Sequence, residues 1–486
     1  MIRLKKRDVD LIKKALFCTV IAVINSFFYG NYLIMLFLTI GEVATILFFL
    51  VNKKYIKCIS YYMIFMCLSM ENKAFVGTDI FYGLKNFKIA GINVGVLLLV
   101  PMLLFLILNN KYKRIYKFPS LKKILLFETI LLVIGVIIGV FNVIVNDNQV
   151  NFYGANLQMI IRASYNYVII ALEMWVFGIS LASNDDNQVI GQSLASIIIA
   201  VFIDSVLCLV FQNYGNRGGT ESLQLSNVYM VLGAAPLLLF YKNESFFYKF
   251  TIGVSGLFIL ILTLVYNSSG KLVLTFIFLP VMLLFVLKDN RRIIKNSIFI
   301  LIFIIFLLII FAGLSRNFSS NNYLFFRKIE QAIGLISFWK KDWLANIPSS
   351  PKMRITEFLN IANEYYNKPW YLLFGKGVMG TITDRLGIFP YFDVDSAAFS
   401  SWEVLSRRYY AMHETLNVLF LTNGIMGLLF YTKIILYGLK NAHSSFWLLL
   451  GTYWFAFFYN YSITISVFGI LSLMYGIKEA EIKKEI

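Results

Sequence analysis

The residues best suited to chemistry lie in one polar stretch, residues 315–414, of an otherwise largely apolar chain. His413 and Glu414 stand at its end, directly before a long apolar run that predicts a helix. The positive N-terminal end of a helix disfavours a protonated imidazole, and a neutral imidazole can act as a general base. Position alone favours the alternative, a histidine that caps the helix or lies at the membrane interface.

Arg354 lies in a segment of the same stretch that predicts an amphipathic helix. Ser349-Ser350-Pro351 is typical of a helix start, and Asn367-Lys368-Pro369 of a helix end. Between them, apolar residues recur at helical spacing: Phe358, Ile361, Ala362 and Tyr365. Arg354 is one turn before this stripe, so we expect its side chain to point toward the membrane-spanning part of the protein.

Two further groups in the stretch have both a functional and a structural interpretation. The glycine-rich turn 375–380 allows backbone N–H groups to approach a ligand closely, although such turns are more often purely structural. The second group can bind sugar hydroxyls or form ion pairs within a solvated loop, and the loop interpretation is slightly favoured. Its members are Asp393, Asp395, Arg407 and Arg408.

The composition predicts an integral membrane protein. Of the 486 residues, 59% are hydrophobic and 14% are charged, with a mean hydropathy of +0.73, whereas soluble domains contain about 25% charged residues. Because a spanning helix needs about 20 apolar residues, we predict about 12–14 transmembrane helices in an all-α polytopic protein. The predicted spans are 13–29, 32–51, 55–72, 90–108, 122–145, 158–182, 190–211, 226–241, 247–266, 270–287, 293–314, 415–438, 445–459 and 462–476.

The distribution of charge predicts the orientation. The net charge is +18, and most lysines and arginines fall in connectors on one side of the predicted spans. The positive-inside rule therefore accounts for the basicity without nucleic acid, and it places both termini in the cytoplasm and the polar stretch outside. We predict three regions: an N-terminal transmembrane bundle (1–314), an extracytoplasmic loop domain (315–414), and C-terminal transmembrane helices with a cytoplasmic tail (415–486). All four cysteines lie in predicted spans, so a disulfide framework is not expected.

Several short motifs resemble one superfamily. His413-Glu414, nine residues and then Gly424-x-x-Gly427 is similar to the histidine motif of the bacterial O-antigen polymerases (Wzy-type) and O-antigen ligases (WaaL-type). Three further segments resemble motifs of that superfamily: Arg354 through Trp370 to Gly375 and Gly377, Asn216 to Thr220 with Asn227, and Ser268 to Lys271. The resemblance covers about residues 216–430. It departs from the family at Glu414, where asparagine, serine or glutamine is usual, and at Lys271, where arginine is usual.

The resemblance implies a GT-C-like helix bundle and an inverting glycosyltransferase whose donor is a glycan on undecaprenyl pyrophosphate. His413, alone or with Glu414, is then the general base. The leaving pyrophosphate needs cations, for which arginine is well suited because its fork binds two oxygens. The candidate cations are Arg162, Arg217, Lys271 and Arg354. For Arg162 the alternative is snorkelling to lipid headgroups.

The resemblance leaves the exact activity open. The first hypothesis is a polymerase of O-antigen or capsule repeat units in the bacterial cytoplasmic membrane, acting on lipid-linked donor and acceptor glycans without metal or cofactor. A chain-length regulator protein is a further expected partner, beside the membrane lipid. The second is a ligase that transfers glycan to lipid A core or another acceptor. The third is a flippase, against which the single large loop argues, because transporters usually have two related halves.

Overall fold

The computed structural model describes residues 6–69, 83–89, 92–144, 157–183, 188–217, 220–223, 246–266, 349–378, 380–385, 399, 401–459 and 463–485. Three predicted spans (226–241, 270–287 and 293–314) lie outside the described residues, as do Lys271, Asp393 and Asp395.

The described part of the chain is mostly helical. Its helices are α1 (Lys6–Phe27), α2 (Tyr32–Val51), α3 (Tyr55–Leu68), α4 (Gly83–Asn86), α5 (Val94–Leu108), α6 (Pro119–Ile144), α7 (Leu157–Ala182), α8 (Gln188–Val210), α9 (Phe246–Tyr266), α10 (Ser349–Asn367), α11 (Trp370–Phe374), α12 (Ser401–Ser406), α13 (Thr415–Asn441), α14 (Phe446–Phe458) and α15 (Ile463–Glu485). Two antiparallel strand pairs depart from the all-α prediction: β1 (Lys88–Ile89) with β2 (Ile92–Asn93), and β3 (Tyr214–Arg217) with β4 (Thr220–Leu223).

Several of these helices can cross a membrane. Among the described residues, α2, α6, α7, α8 and α13 are long and apolar enough, and α5 would make a sixth if the 3-10 helix Lys111–Lys117, bent from it by 78°, belongs to the same span. Helices α3, α9 and α14 contain shorter apolar runs. Between its first and last turns a helix pairs its backbone N–H and C=O groups within itself, which hydrocarbon demands. The prediction of a multi-pass membrane protein is confirmed at this level.

The C-terminal helices form a closely packed group with α6 and α7. Helix α15 packs on α14 and α7, and α13 packs on α14 and α6. Glycines permit the close approach of α14 and α15: Gly469 faces the ring of Trp454, and Gly451 faces the backbone of Leu473. Small residues at such contacts are typical of helix association in membranes.

Helix α13 is broken at Gly424, whose φ of 59° and ψ of −141° are not helical. A break of this kind leaves carbonyl groups without their helical partners. The turn after α11 supplies donors: Lys376 N–H donates to the Leu421 carbonyl at 2.8 Å and Gly377 N–H to the Thr422 carbonyl at 3.1 Å. The Tyr365 hydroxyl donates to the carbonyls of Phe420 and Leu421 as well, at 2.9 and 2.8 Å. Burial raises the pKa of Tyr365 well above its usual value, so this hydroxyl stays a donor.

The same turn reaches α6. Val378 N–H donates to the Gly135 carbonyl at 3.0 Å, and the Asn142 side chain donates to the Lys376 carbonyl at 3.2 Å. Helix α10 packs on α11 and α13. The described part of the polar stretch is therefore fixed to two candidate membrane helices through backbone hydrogen bonds.

Replacement of Gly377 by alanine should destabilise the protein. Its φ is +81°, and an added Cβ would lie 2.6 Å from the Gly135 carbonyl oxygen. Backbone strain and overpacking together cost about 2–4 kcal/mol. We expect a clearly lower melting temperature for Gly377→Ala in detergent. The matched control is Gly41→Ala, where no atom lies within 4 Å of the added Cβ; equal melting temperatures for the two variants would contradict the prediction.

Candidate functional site

The site is built on a face of α10 that is buried although it is partly polar. The helix runs from Ser349 to Asn367, as predicted from the sequence. Its buried face is less apolar than the predicted stripe, because four of the seven buried residues on this helix are polar. The buried residues are Met353, Thr356, Glu357, Asn360, Ile361, Glu364 and Tyr365, whereas Phe358 and Ala362 are only partly buried.

Glu357 is the centre of the polar cluster on this face. Its side chain has no solvent exposure, and a buried carboxylate is stable only when donors surround it. Three groups hydrogen-bond to it. His413 Nδ1 lies 2.5 Å from Oε1, and Oε2 accepts the His413 backbone N–H at 3.2 Å and Asn417 Nδ2 at 2.9 Å. The carboxylate therefore fixes both the ring and the backbone of His413.

Arg354 and Glu414 form an ion pair beside this cluster, between Arg354 Nε and Glu414 Oε1. Both side chains are partly accessible, at 24% and 18%. The side-chain amide of Asn417 donates to the Arg354 carbonyl at 2.8 Å. The start of α13 is therefore joined to α10 through both the side chain and the backbone of Arg354. The structure thus brings together three residues that the sequence predicted, Arg354, His413 and Glu414.

The segment that leads to His413 is held by a second buried carboxylate. Glu403 Oε1 accepts the backbone N–H groups of Tyr410 and Ala411, both at 2.9 Å. Tyr409 forms an isolated β-bridge with Ile382. The ring of Phe399 then meets the imidazole of His413 edge to face, with 5.3 Å between centroids. These contacts limit how far the imidazole can move.

This geometry defines what His413 can do. A carboxylate at Nδ1 requires a proton on Nδ1, which leaves the lone pair of a neutral ring on Nε2. None of the described residues hydrogen-bonds to Nε2, and the side chain is 25% exposed. A base whose orientation is set by a third group is the arrangement found in acid–base catalysis. Proton removal from a hydroxyl group is the corresponding chemistry.

The described backbone of the glycine-rich turn 375–380 has a structural role. The N–H groups of Lys376, Gly377 and Val378 all bond to carbonyls of α13 or α6. The ammonium group of Lys376 is buried, where it pairs with Glu364 and donates to the Thr381 carbonyl at 2.8 Å. These three N–H groups are therefore already used within the fold.

For the remaining predicted site residues, the structure gives the burial or only the backbone position. Arg407 is exposed, with a φ of 54°, and Arg408 is partly buried. Arg162 lies in the first turns of α7 and Arg217 ends β3; their side chains lie outside what the structure describes. Three acidic residues of the predicted spans, Glu42, Glu173 and Asp204, are buried.

Glu357 is the functional candidate that the sequence did not identify. It lies three residues after Arg354, and residues at this spacing share one face of a helix, so the sequence contained a signal that the two are neighbours.

Within the described residues, no group of three or more His, Cys, Asp and Glu side chains is arranged to hold a metal ion. No protein-family model matches the chain, and no curated protein sequence matches it.

The tautomer of His413 provides a direct test of this geometry. With 15N-labelled histidine at alkaline pH, where imidazoles are neutral, we expect the proton of His413 on Nδ1 because the Glu357 carboxylate accepts it. Nitrogen chemical shifts distinguish the two tautomers. The chain has two histidines, so the exposed His443 is an internal control that should show the Nε2–H form of free histidine. An Nε2–H signal from His413 would contradict the geometry.

Proposed function

We propose that the protein is an inverting glycosyltransferase that polymerises undecaprenyl-pyrophosphate-linked repeat units into a surface polysaccharide at the outer face of the bacterial cytoplasmic membrane. The observation that carries the proposal is the pairing of His413 with the buried Glu357 directly beside the Arg354–Glu414 ion pair. A base and a cation are the two groups that such a transfer needs. The membrane-spanning helices and the motif resemblance support the lipid-linked substrate.

In this mechanism His413 is the general base. The hydroxyl group of the acceptor sugar attacks the anomeric carbon of the donor, and its proton passes to Nε2 of His413. The bond from the anomeric carbon to the pyrophosphate oxygen breaks, and the electron pair leaves with the pyrophosphate. Attack from the opposite side inverts the anomeric centre. General base catalysis supplies a factor of about 10² to 10⁴ in rate.

Glu357 has a positioning role in the same step. Its carboxylate orients the imidazole ring and stabilises the positive charge that develops when Nε2 accepts a proton. The second oxygen is held by the His413 backbone and by Asn417. The base is therefore oriented before substrate binds.

Arg354 is the proposed cation for the leaving group. Its side chain is fixed on α10, one turn from Glu357, and it is partly accessible. A guanidinium group binds phosphate oxygens in two-pronged geometry, which an ammonium group does not reproduce. Arg162, Arg217 and Lys271 remain candidate cations for the same pyrophosphate.

Replacement of His413 by alanine should abolish chain elongation while the protein still folds, because the acceptor would lose the proposed general base. The assay supplies purified protein with lipid-linked repeat units in detergent and resolves glycan length on a gel. His443→Ala is the matched control and should elongate normally. Near-normal elongation by His413→Ala would exclude His413 as the base.

The same assay separates the alternative activities. Longer glycans that form without a bilayer would exclude a transporter, which needs two compartments. A requirement for lipid A core as the acceptor would identify a ligase instead of a polymerase. Failure of the unsubstituted protein to transfer glycan to any acceptor would contradict a glycosyltransferase.

Replacement of Arg354 by lysine should reduce elongation at least tenfold. Lysine keeps the charge but loses the planar fork, and a tenfold loss corresponds to about 1.4 kcal/mol of transition-state stabilisation. Initial rates at saturating acceptor give the measurement, and Arg385→Lys, at an exposed position in the same region, is the control. Equal rates for Arg354→Lys and the unsubstituted protein would mean that two-pronged recognition at Arg354 has no role.

A further inference from the structure

The Arg354–Glu414 ion pair occupies the cation that the proposed function assigns to the pyrophosphate, and the inference below rests on that proposed function. The cation proposed to bind the leaving pyrophosphate is already bonded to a carboxylate of the same chain. Glu414 is also the position at which the histidine motif departs from the superfamily it resembles, where an uncharged side chain is usual. A carboxylate and a phosphate present similar oxygen acceptors to a guanidinium group, so the two compete for it.

We propose that Glu414 is an internal counter-anion that the donor's pyrophosphate displaces from Arg354. In the free protein Glu414 neutralises the guanidinium group. When the donor binds, its pyrophosphate takes the place of the Glu414 carboxylate. After transfer, the carboxylate returns and favours release of the lipid-linked pyrophosphate product.

The surroundings of the pair allow this exchange. Arg354 is held through its backbone by Asn417, at 2.8 Å, so it keeps its place when its ionic partner changes. Both side chains are partly accessible, which gives an incoming anion access. The pair is adjacent to His413, which precedes Glu414 in sequence, so an anion bound at Arg354 would lie beside the proposed base.

Glu414 also has a second favourable position. It is the N-cap residue of α13, with extended backbone angles, and its side chain makes no capping hydrogen bond. The first turn of a helix carries N–H groups without helical partners and a partial positive charge that stabilises an acidic side chain. A carboxylate released from Arg354 can therefore remain at this helix end.

The test is the affinity of the full-length protein in detergent for inorganic pyrophosphate, measured by calorimetry. We expect Glu414→Gln to bind pyrophosphate about tenfold more tightly than the unsubstituted protein, which corresponds to about 1.4 kcal/mol. The gain should disappear when the same change is made in an Arg354→Gln background, because the competition requires the guanidinium group. Glu414→Asn is a second variant, since asparagine is a favoured N-cap and preserves the helix start.

A charge-matched control separates competition from a general change of potential. Asp384→Asn removes one negative charge at a residue that accepts a hydrogen bond from Asn360 at 3.0 Å, and its affinity should stay within about twofold of the unsubstituted value. The proposal is overturned if neither Glu414 variant binds more tightly, if the gain persists without Arg354, or if Asp384→Asn produces an equal gain. Elongation by the unsubstituted protein tests the glycosyltransferase independently, so either idea can fail alone.

Discussion

The arrangement of the candidate site depends on the burial of one carboxylate. Glu357 has no solvent exposure, and removal of a charged group from water is costly unless several hydrogen bonds replace the hydration. Glu357 lies on α10, whereas the donors that it recruits, from His413 and Asn417, lie just before α13 and in its first turn. Satisfying this carboxylate therefore brings His413 and Asn417 onto α10 in a single orientation. The same contacts bring Arg354 against Glu414, 60 residues away in sequence.

A second constraint connects the site to the membrane-spanning helices. Hydrocarbon provides no hydrogen bonds, so the break of α13 at Gly424 requires other donors for the carbonyls that precede it. The turn 375–378 and the hydroxyl of Tyr365 supply them. Since the turn also bonds α6, the position of α10 relative to the bundle is set by backbone groups. The buried ion pair between Lys376 and Glu364 also connects this turn to α10.

Local signals in the sequence predicted the elements better than their contacts. Helix α10 begins at Ser349 and ends at Asn367, as the serine–proline and proline signals indicated, and His413 and Glu414 lie directly before α13. These features depend on neighbouring residues alone. The apolar runs likewise predicted the candidate membrane helices, because length and hydropathy are local properties.

The contacts were harder to predict because they depend on distant partners. Apolar spacing began the buried stripe of α10 at Phe358 and overlooked Glu357, since a carboxylate is assumed to face water until its donors are known. The turn 375–380 left a ligand-binding interpretation open because the acceptors for its N–H groups, in a broken helix, have no sequence signature. The pairing of Arg354 with Glu414 was invisible for the same reason, although each residue was singled out.

The shared hydrogen bonds between the turn and α13 also bear on how this protein can change during evolution. The donors lie in the turn and the acceptors in α13, so a change in the backbone of either segment affects the hydrogen bonds of both. A deletion within residues 375–378 would leave the carbonyls of Leu421 and Thr422 without these donors. Insertions and deletions should therefore be tolerated poorly both in this turn and around Gly424.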